Sequence, residues 1–183
     1  EKGAIPKYAQ FIEEYPDVDV FYGDLVIVDN NLNEWKELKY PDWHGKNDAL
    51  VAHLIVENKI PNPGVLIKKS AYDKIGLYDT DFVRAHDYEW YSRAAGELNF
   101  KHIGARVCKW RWHDKNMSTE SVDYDKSYDA HIVLRMLDRY DMRRLFPKIP
   151  WDGLSTEEAL SIAYLEIARI LLGMKQLEPG KEY

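Results

Sequence analysis

The sequence predicts an α/β protein with a mixed sheet and helices over about residues 1–120, followed by a helical segment over residues 121–183. Up to about residue 120, runs rich in β-branched and aromatic residues, such as VFYGDLVIV, alternate with helical patterns and turn residues. Beyond that point, apolar residues recur at helical spacing. A content of 45% hydrophobic and 31% charged residues is typical of a globular chain that is long enough to have a core.

The first 50 residues contain a predicted helix, a predicted strand region and a predicted loop. IPKYAQFIEEYP is predicted to form a short helix, because Pro6 suits a first helical turn and Pro16 ends the pattern. VDVFYGDLVIVDNN is predicted to form one or two strands, broken near Gly23 and Asp24. The polar, aromatic-rich residues 33–50 are predicted to form a loop up to the next helical pattern, ALVAHLIVEN.

Shorter elements are predicted from there to residue 120. Residues 65–68 form a predicted short buried strand, and SAYDKIG forms a predicted helix that Ser70 caps and Gly76 ends. RAHDYEWYSRAAG is another short helical stretch, and it begins near Asp87. NFKHIG and RVCKWRW are two further predicted strands.

The helical segment contains two strong helical patterns, separated by PKIPWDG. SYDAHIVLRMLDRY is the first pattern, and STEEALSIAYLEIARILLGM is the second. Ser155 and Glu158 have the spacing of a capping box, in which two side chains satisfy free backbone N–H groups at a helix start. An apolar stripe on the second helix is expected to face the core, and its members are Leu160, Ala163, Tyr164, Ile167 and Leu171.

Charge, cysteine content and hydropathy narrow the possible partners and location. The chain has 31 acidic and 25 basic residues, and its net charge of −6 disfavours nucleic-acid binding, which usually needs a basic surface. Cys108 is the single cysteine, so the chain has no internal disulfide, which fits a reducing cytoplasm. The stretch IAYLEIARILLGM contains Glu166 and Arg169 and is too short to span a membrane.

The chain lacks several common enzyme motifs, namely a glycine-rich phosphate loop, HExxH, CxxC and GxSxG. Four stretches instead occur in a characteristic order: YGDLVIVD, PNPGVLIKKSAYDKIGLYDTDF, RAHDYEWYSRAAG and WRWHDKNMS. In this order and spacing they resemble the second half of the catalytic domain of family 2 glycosyltransferases, which have the GT-A fold. The resemblance covers about residues 1–120 and implies a partial GT-A-like sheet.

The resemblance implies an inverting transfer of a sugar from a nucleotide-sugar donor to a hydroxyl group of a carbohydrate or other acceptor. Asp87 matches the acid that acts as general base in inverting members. His113 matches a late histidine that in some members helps to bind a divalent metal, Mn²⁺ or Mg²⁺, which neutralises the departing nucleoside diphosphate. Tyr22 and Asp24 match the end of the YGD strand and are candidate acceptor-binding residues.

Aromatic residues form a second group of candidate acceptor-binding residues, because sugars stack on aromatic rings. Trp43 lies in the predicted loop, and Trp110 and Trp112 alternate along the last predicted strand, so that their side chains share one face. That face is equally consistent with the core and with a cleft. Tyr22 also fits a packing position, and His113 also fits a structural role.

Two departures from the family pattern affect the expected activity. The nucleotide-binding half and its metal-holding D-x-D motif are not found ahead of the matching region, and His86 stands where the family has a glutamate. The chain is therefore expected to be the acceptor-side part of a longer enzyme, inactive alone and without a tightly bound metal. The alternatives are a non-catalytic carbohydrate-binding or assembly module derived from the same fold, and an unrelated α/β domain.

Asp87 has two possible roles at the start of its helix. An aspartate there often serves as an N-cap, whose side chain accepts a backbone N–H of the first turn. The resemblance adds the role of general base, and we expect Asp87 to fill both, with its pKa lowered by the helix dipole. We also expect His113 to face the same cleft as Asp87.

Overall fold

The computed structural model describes residues 1–113, 116 and 128–175, and within them it shows an α/β fold with a four-stranded sheet and seven helices. This confirms the predicted fold class. In chain order, the elements are α1 (Ala4–Glu14), β1 (Val20–Val28), β2 (Glu34–Leu38), α2 (Asn47–Leu54), β3 (Leu66–Ile67), α3 (Lys69–Ile75), α4 (His86–Ala94), β4 (Phe100–Arg111), α5 (Tyr128–Arg139), α6 (Met142–Leu145) and α7 (Thr156–Lys175).

The mixed sheet is built around β1. The strand β4 runs parallel to β1 along its length, from the pair Val20 and Phe100 to the pair Val28 and Arg111. The strands β2 and β3 pair antiparallel with the C-terminal half and the N-terminal end of β1. Because β4 occupies one edge of β1, β2 and β3 share the other edge.

The backbone of β4 passes close to Gly23 of β1. The register between the two strands shifts on both sides of Asp24. A Cβ atom at Gly23 would lie 2.4 Å from the carbonyl oxygen of Ala105 and 2.5 Å from Cγ1 of Val107. The irregularity predicted near Gly23 is therefore a bulge within one continuous strand.

Apolar side chains pack on both faces of the sheet, since neighbouring residues of a strand point to opposite faces. On one face, α1 covers a small cluster that includes Tyr8, Phe21 and Val107. On the other face, a larger cluster joins Tyr22 and Trp90 to buried residues of α2, α5, α6 and α7. The helices after residue 128 thus share a core with the sheet. The predicted boundary near residue 120 lies outside the described residues, and the division into two domains stays a prediction.

The strands differ from the predictions in three places. The predicted loop contains β2, whose polar, largely exposed residues at the sheet edge give no buried pattern. The stretches NFKHIG and RVCKWRW form one strand, β4, that continues through Gly104 at a positive φ of 64°. The strand predicted over residues 65–68 has only two residues, and Leu66 is exposed, so the prediction of a buried strand is wrong.

The helix ends agree with the sequence at α7 and differ at α3. The capping box is confirmed, because Glu158 Oε2 accepts the Ser155 N–H at 2.9 Å and Ser155 Oγ accepts the Glu158 N–H at 3.3 Å. Ser70 does not cap α3, because α3 begins at Lys69 and its N-cap is Lys68. Gly76 ends α3 at a φ of 91°.

The buried face of α7 is turned slightly from the predicted stripe. Ala163 and Ile167 are buried as predicted, whereas Tyr164 is 59% exposed. Ala159 and Ile170 complete the buried face in its place. Ser127, the first residue of the pattern predicted for α5, lies outside the described residues.

Candidate active site

Asp87 is the second residue of α4 and not its N-cap. The helix begins at His86, and the N-cap is Ala85, which has a left-handed backbone with a φ of 53° and no side-chain cap. The prediction that Asp87 caps the helix is therefore wrong, because the turn at Ala85 starts the helix two residues earlier than an Asp87 cap would. The Asp87 carboxyl group still accepts the backbone N–H groups of Tyr88 and of Asp87 itself. These N–H groups have no acceptor within the helix.

The pKa of Asp87 is raised above its usual value, contrary to the expected lowering. Burial of the carboxyl group is the largest cause, and the two backbone hydrogen bonds and the charge of His86 oppose it. Loss of water around the carboxylate therefore outweighs the favourable field of the helix start. A carboxylate with a raised pKa binds a proton more strongly and is a better general base.

Asp87 interacts electrostatically with two tyrosines and a second carboxyl group. The charge of Asp87 adds to the raised pKa of Tyr78 and of Tyr91, for which burial is the largest cause. It also adds to the raised pKa of Asp129 in the first turn of α5, after the loss of water around that carboxyl group. The ring of Tyr78 lies 5.4 Å from the ring of His86. The poorly hydrated carboxyl group of Asp87 thus lies near enough to two tyrosines and Asp129 to raise the pKa of each.

The C-terminal turn of α2 connects the start of α4 with Trp43. The hydroxyl group of Tyr88 donates to the carbonyl oxygen of Leu54. One residue earlier, the ring of His53 lies 5.1 Å from the ring of Trp43. Trp43 is one of the predicted acceptor-binding residues. It therefore packs against the same turn of α2 that Tyr88, the residue after Asp87, contacts.

Two buried nitrogen atoms at this contact have no hydrogen-bond partner, namely Nε1 of Trp43 and Nε2 of His53. Burial is the largest cause of a lowered pKa of His53, so its ring is neutral at pH 7. The distance of 3.6 Å from Nε2 to Glu57 Oε1 is too long for a hydrogen bond. The indole N–H of Trp43 is therefore an unused donor.

Tyr22 is fully buried and holds the loop that carries Trp43. Its hydroxyl group donates to the carbonyl oxygen of Pro41 at 2.6 Å and accepts the backbone N–H of Trp43 at 3.3 Å. This geometry agrees with the packing role that the sequence also allowed. An acceptor-binding role for Tyr22 stays a prediction.

Asp24 lies two residues after Tyr22 in β1 and holds the same loop. Its Oδ1 atom accepts the backbone N–H of Tyr40 at 3.0 Å and lies 2.9 Å from Nε2 of His102. Nδ1 of His102 accepts the Gly104 N–H, so Nε2 carries the proton and donates to Asp24. The carboxylate is thus engaged within the protein, and its contact with an acceptor stays a prediction.

Trp110 and Trp112 lie apart from these residues in the sheet. Their rings meet edge to face at 5.1 Å. Trp110 packs against the cluster under α1, whereas Trp43 and Tyr88 belong to the cluster on the opposite face. The structure does not bring Trp110 together with Asp87, and the acceptor-binding role of the pair stays a prediction.

His113 follows β4 and has an exposed side chain, and its carbonyl oxygen accepts the backbone N–H of Asn116. Within residues 1–113, 116 and 128–175, no group of three or more His, Cys, Asp and Glu residues could hold a metal ion. One imidazole does not form a divalent-metal site, so these residues alone do not fit the implied metal. Metal binding by His113, and its place in one cleft with Asp87, stay predictions.

A group of charged residues next to Asp87 was not singled out in the sequence. Glu89 is buried. It lies four residues before Arg93, and this spacing is the one sequence signal that indicates an ion pair on the helix. These residues line a groove of about 490 Å³ where α4 and α5 face each other, and its lining does not include Asp87. The lining residues are Glu89, Ser92, Arg93, Arg135, Asp138 and Arg139.

No helix in the described part of the chain is long and apolar enough to cross a membrane.

The sequence was compared with protein-family models and with known proteins. No protein-family model matches the chain. Over 130 residues, which are 70% of this chain, the sequence is 22% identical to an uncharacterized glycosyltransferase of Methanocaldococcus jannaschii. The matched region spans 44% of that relative, so the chain covers less than half of its length. The chain is thus distantly similar to a protein named as a glycosyltransferase.

Proposed function

We propose that the chain is the acceptor-side part of an inverting family 2 glycosyltransferase with a GT-A-like fold, in which Asp87 is the general base. The observation that carries the proposal is the half-buried carboxyl group in the first turn of α4, with a raised pKa and two backbone N–H donors. The distant similarity to an uncharacterized glycosyltransferase supports the class of reaction.

In the proposed reaction, the ionised carboxylate of Asp87 accepts the proton of an acceptor hydroxyl group. The hydroxyl oxygen forms a bond to the anomeric carbon of the donor sugar as its proton leaves. The bond from that carbon to the nucleoside diphosphate breaks on the opposite face, so the configuration inverts. The backbone N–H groups of Asp87 and Tyr88 hold the carboxyl group in position, while its burial keeps it basic.

We propose Trp43 as an acceptor contact, and its unpaired indole N–H supports this choice. Its indole N–H is a buried donor without a hydrogen-bond partner, and its ring packs against the ring of His53. Tyr22 and Asp24 would support this contact indirectly, because both hold the loop that carries Trp43.

The proposal is tested by Asp87→Asn and Asp87→Ser in the natural full-length protein. Neither side chain can take the proton, so turnover is expected to fall by roughly two to four orders of magnitude. Asp73→Asn, at an exposed position of α3, removes the same charge elsewhere and is expected to leave turnover unchanged. Near-normal transfer by either Asp87 variant would show that Asp87 is not the base.

The non-catalytic alternative makes a different prediction for the same protein. A carbohydrate-binding module would bind an acceptor without transferring sugar from any nucleotide-sugar. If the wild-type full-length protein binds a carbohydrate but transfers no sugar, the non-catalytic interpretation is correct.

A further inference from the structure

The segment between α3 and α4 sets the position at which α4, and with it Asp87, begins. Residues 77–85 form this segment, and Phe82 is its one buried residue. The segment ends in the left-handed turn at Ala85, directly before the helix. Since few of its own side chains are buried, its position depends on contacts from other elements.

Arg135 of α5 contacts this segment at two points. Its Nη1 atom lies 2.7 Å from Oδ2 of Asp79. Its guanidinium carbon lies 4.7 Å from the centre of the Phe82 ring, which is the geometry of a cation–π contact. One side chain from α5 therefore holds both a polar and an apolar residue of the segment.

Arg135 also contacts α4 through Glu89. The same Nη1 atom lies 3.4 Å from Oε1 of Glu89, whose side chain is 1% exposed. Arg93 binds both oxygens of this carboxylate, at 2.8 and 2.9 Å, and donates to the carbonyl oxygens of Ile75 and Leu77. Arg93 thus links α4 to the start of the segment. Arg135 links α5 to Asp79 and Phe82 in its middle.

We propose that Arg135 is a positioning residue for Asp87, and this inference rests on the proposed function of Asp87 as general base. Arg135 acts through Asp79, Phe82 and Glu89 on the segment that places the first turn of α4. The helix α5 is then part of the active enzyme, although it lies beyond the region that resembles the family. Small displacements of a catalytic group reduce rates strongly, because proton transfer needs an aligned hydrogen bond.

The test compares Arg135→Ala with wild type in the natural full-length protein. We expect kcat to fall about 10- to 100-fold, in keeping with the cost of a misplaced catalytic group. Amide hydrogen exchange should become faster in residues 77–88 and stay unchanged in β1 and β4. Arg143→Ala is the matched control, because Arg143 also pairs with an aspartate and lies over an aromatic ring but does not contact this segment. The control should leave both measurements unchanged.

A second substitution separates positioning from general stability. If Arg135 acts through Asp87, Arg135→Ala should cause no further loss of turnover in a protein that already carries Asp87→Asn. Arg135→Lys keeps the charge near Asp79 but loses the planar contact with Phe82, so it should restore part of kcat. Asp79→Asn should lower kcat in the same direction as Arg135→Ala, and it serves as a second variant if Arg135→Ala does not fold.

The outcomes distinguish this inference from the proposed function. Inactive Asp87→Asn together with near-normal kcat in Arg135→Ala, or in Asp79→Asn where Arg135→Ala does not fold, would overturn the positioning role alone. An equal loss from Arg135→Ala with and without Asp87→Asn would also overturn it. Near-normal turnover in Asp87→Asn would overturn the proposed function itself, and the positioning role with it.

Discussion

Asp87 shows how surroundings, and not residue type, set the chemistry of a side chain. An aspartate in the first turn of a helix usually has a favourable electrostatic environment for its negative charge. Here the loss of water around the carboxyl group is the largest influence on its pKa, and it raises the pKa. The surroundings of Asp87 therefore make its carboxylate bind a proton more strongly than a usual aspartate does.

The raised pKa of Asp87 makes stability depend on pH in a definite direction. A carboxyl group whose pKa is higher in the folded protein stabilises the fold while it is protonated, and this stabilisation is lost as the pH rises through the folded pKa. Asp87→Asn does not titrate. Its free energy of unfolding relative to wild type should therefore increase between about pH 4 and pH 7, by about 1.4 kcal/mol for each unit of raised pKa.

Urea unfolding at several pH values measures this difference, with Asp73→Asn as the control at an exposed position. A difference that stays constant, or that falls towards neutral pH, would mean that the pKa of Asp87 is not raised.

At the scale of elements, the close approach of β1 and β4 depends on Gly23. A side chain there would meet the Ala105 carbonyl oxygen and Val107, which are parts of a paired strand and cannot easily move. Gly23→Ala should therefore lower the free energy of unfolding by roughly 1–3 kcal/mol or more. Gly173→Ala is the matched control, because Gly173 lies in α7 with no atom near its Cβ position, and an alanine there should stabilise slightly.

Denaturant unfolding of the two variants checks this prediction. Equal stabilities of Gly23→Ala and wild type would show that β1 and β4 can separate at the bulge without cost.

The elements differ in how well local sequence predicts them, for identifiable physical reasons. The capping box of α7 was predictable because Ser155 and Glu158 interact within one helical turn. The strand β2 was not predictable, because an exposed edge strand has no buried side chains to create a pattern. The turn at Ala85 also lacks a local signal, since alanine rarely adopts a positive φ.

At the scale of the whole molecule, the candidate site depends on contacts between distant parts of the chain. Order and spacing of short stretches pointed to Asp87, yet the residues that surround it come from α2, α4 and α5. Arg135 pairs with Asp79 across 56 positions of sequence, and no periodic pattern predicts such a contact. The later helices, which the sequence suggested were an appendage, share the core beneath the site.

The pH dependence of kcat/KM tests the proposed role of Asp87 as the general base of a sugar transfer. In the natural full-length protein, kcat/KM should fall on the acidic side with an apparent pKa above 3.8, the usual value for aspartate. In Asp87→Asn, that acidic fall should disappear and the remaining rate should be roughly two to four orders of magnitude lower. An Asp87→Asn protein that keeps the acidic fall, or that transfers sugar at a near-normal rate, would show that Asp87 is not the general base.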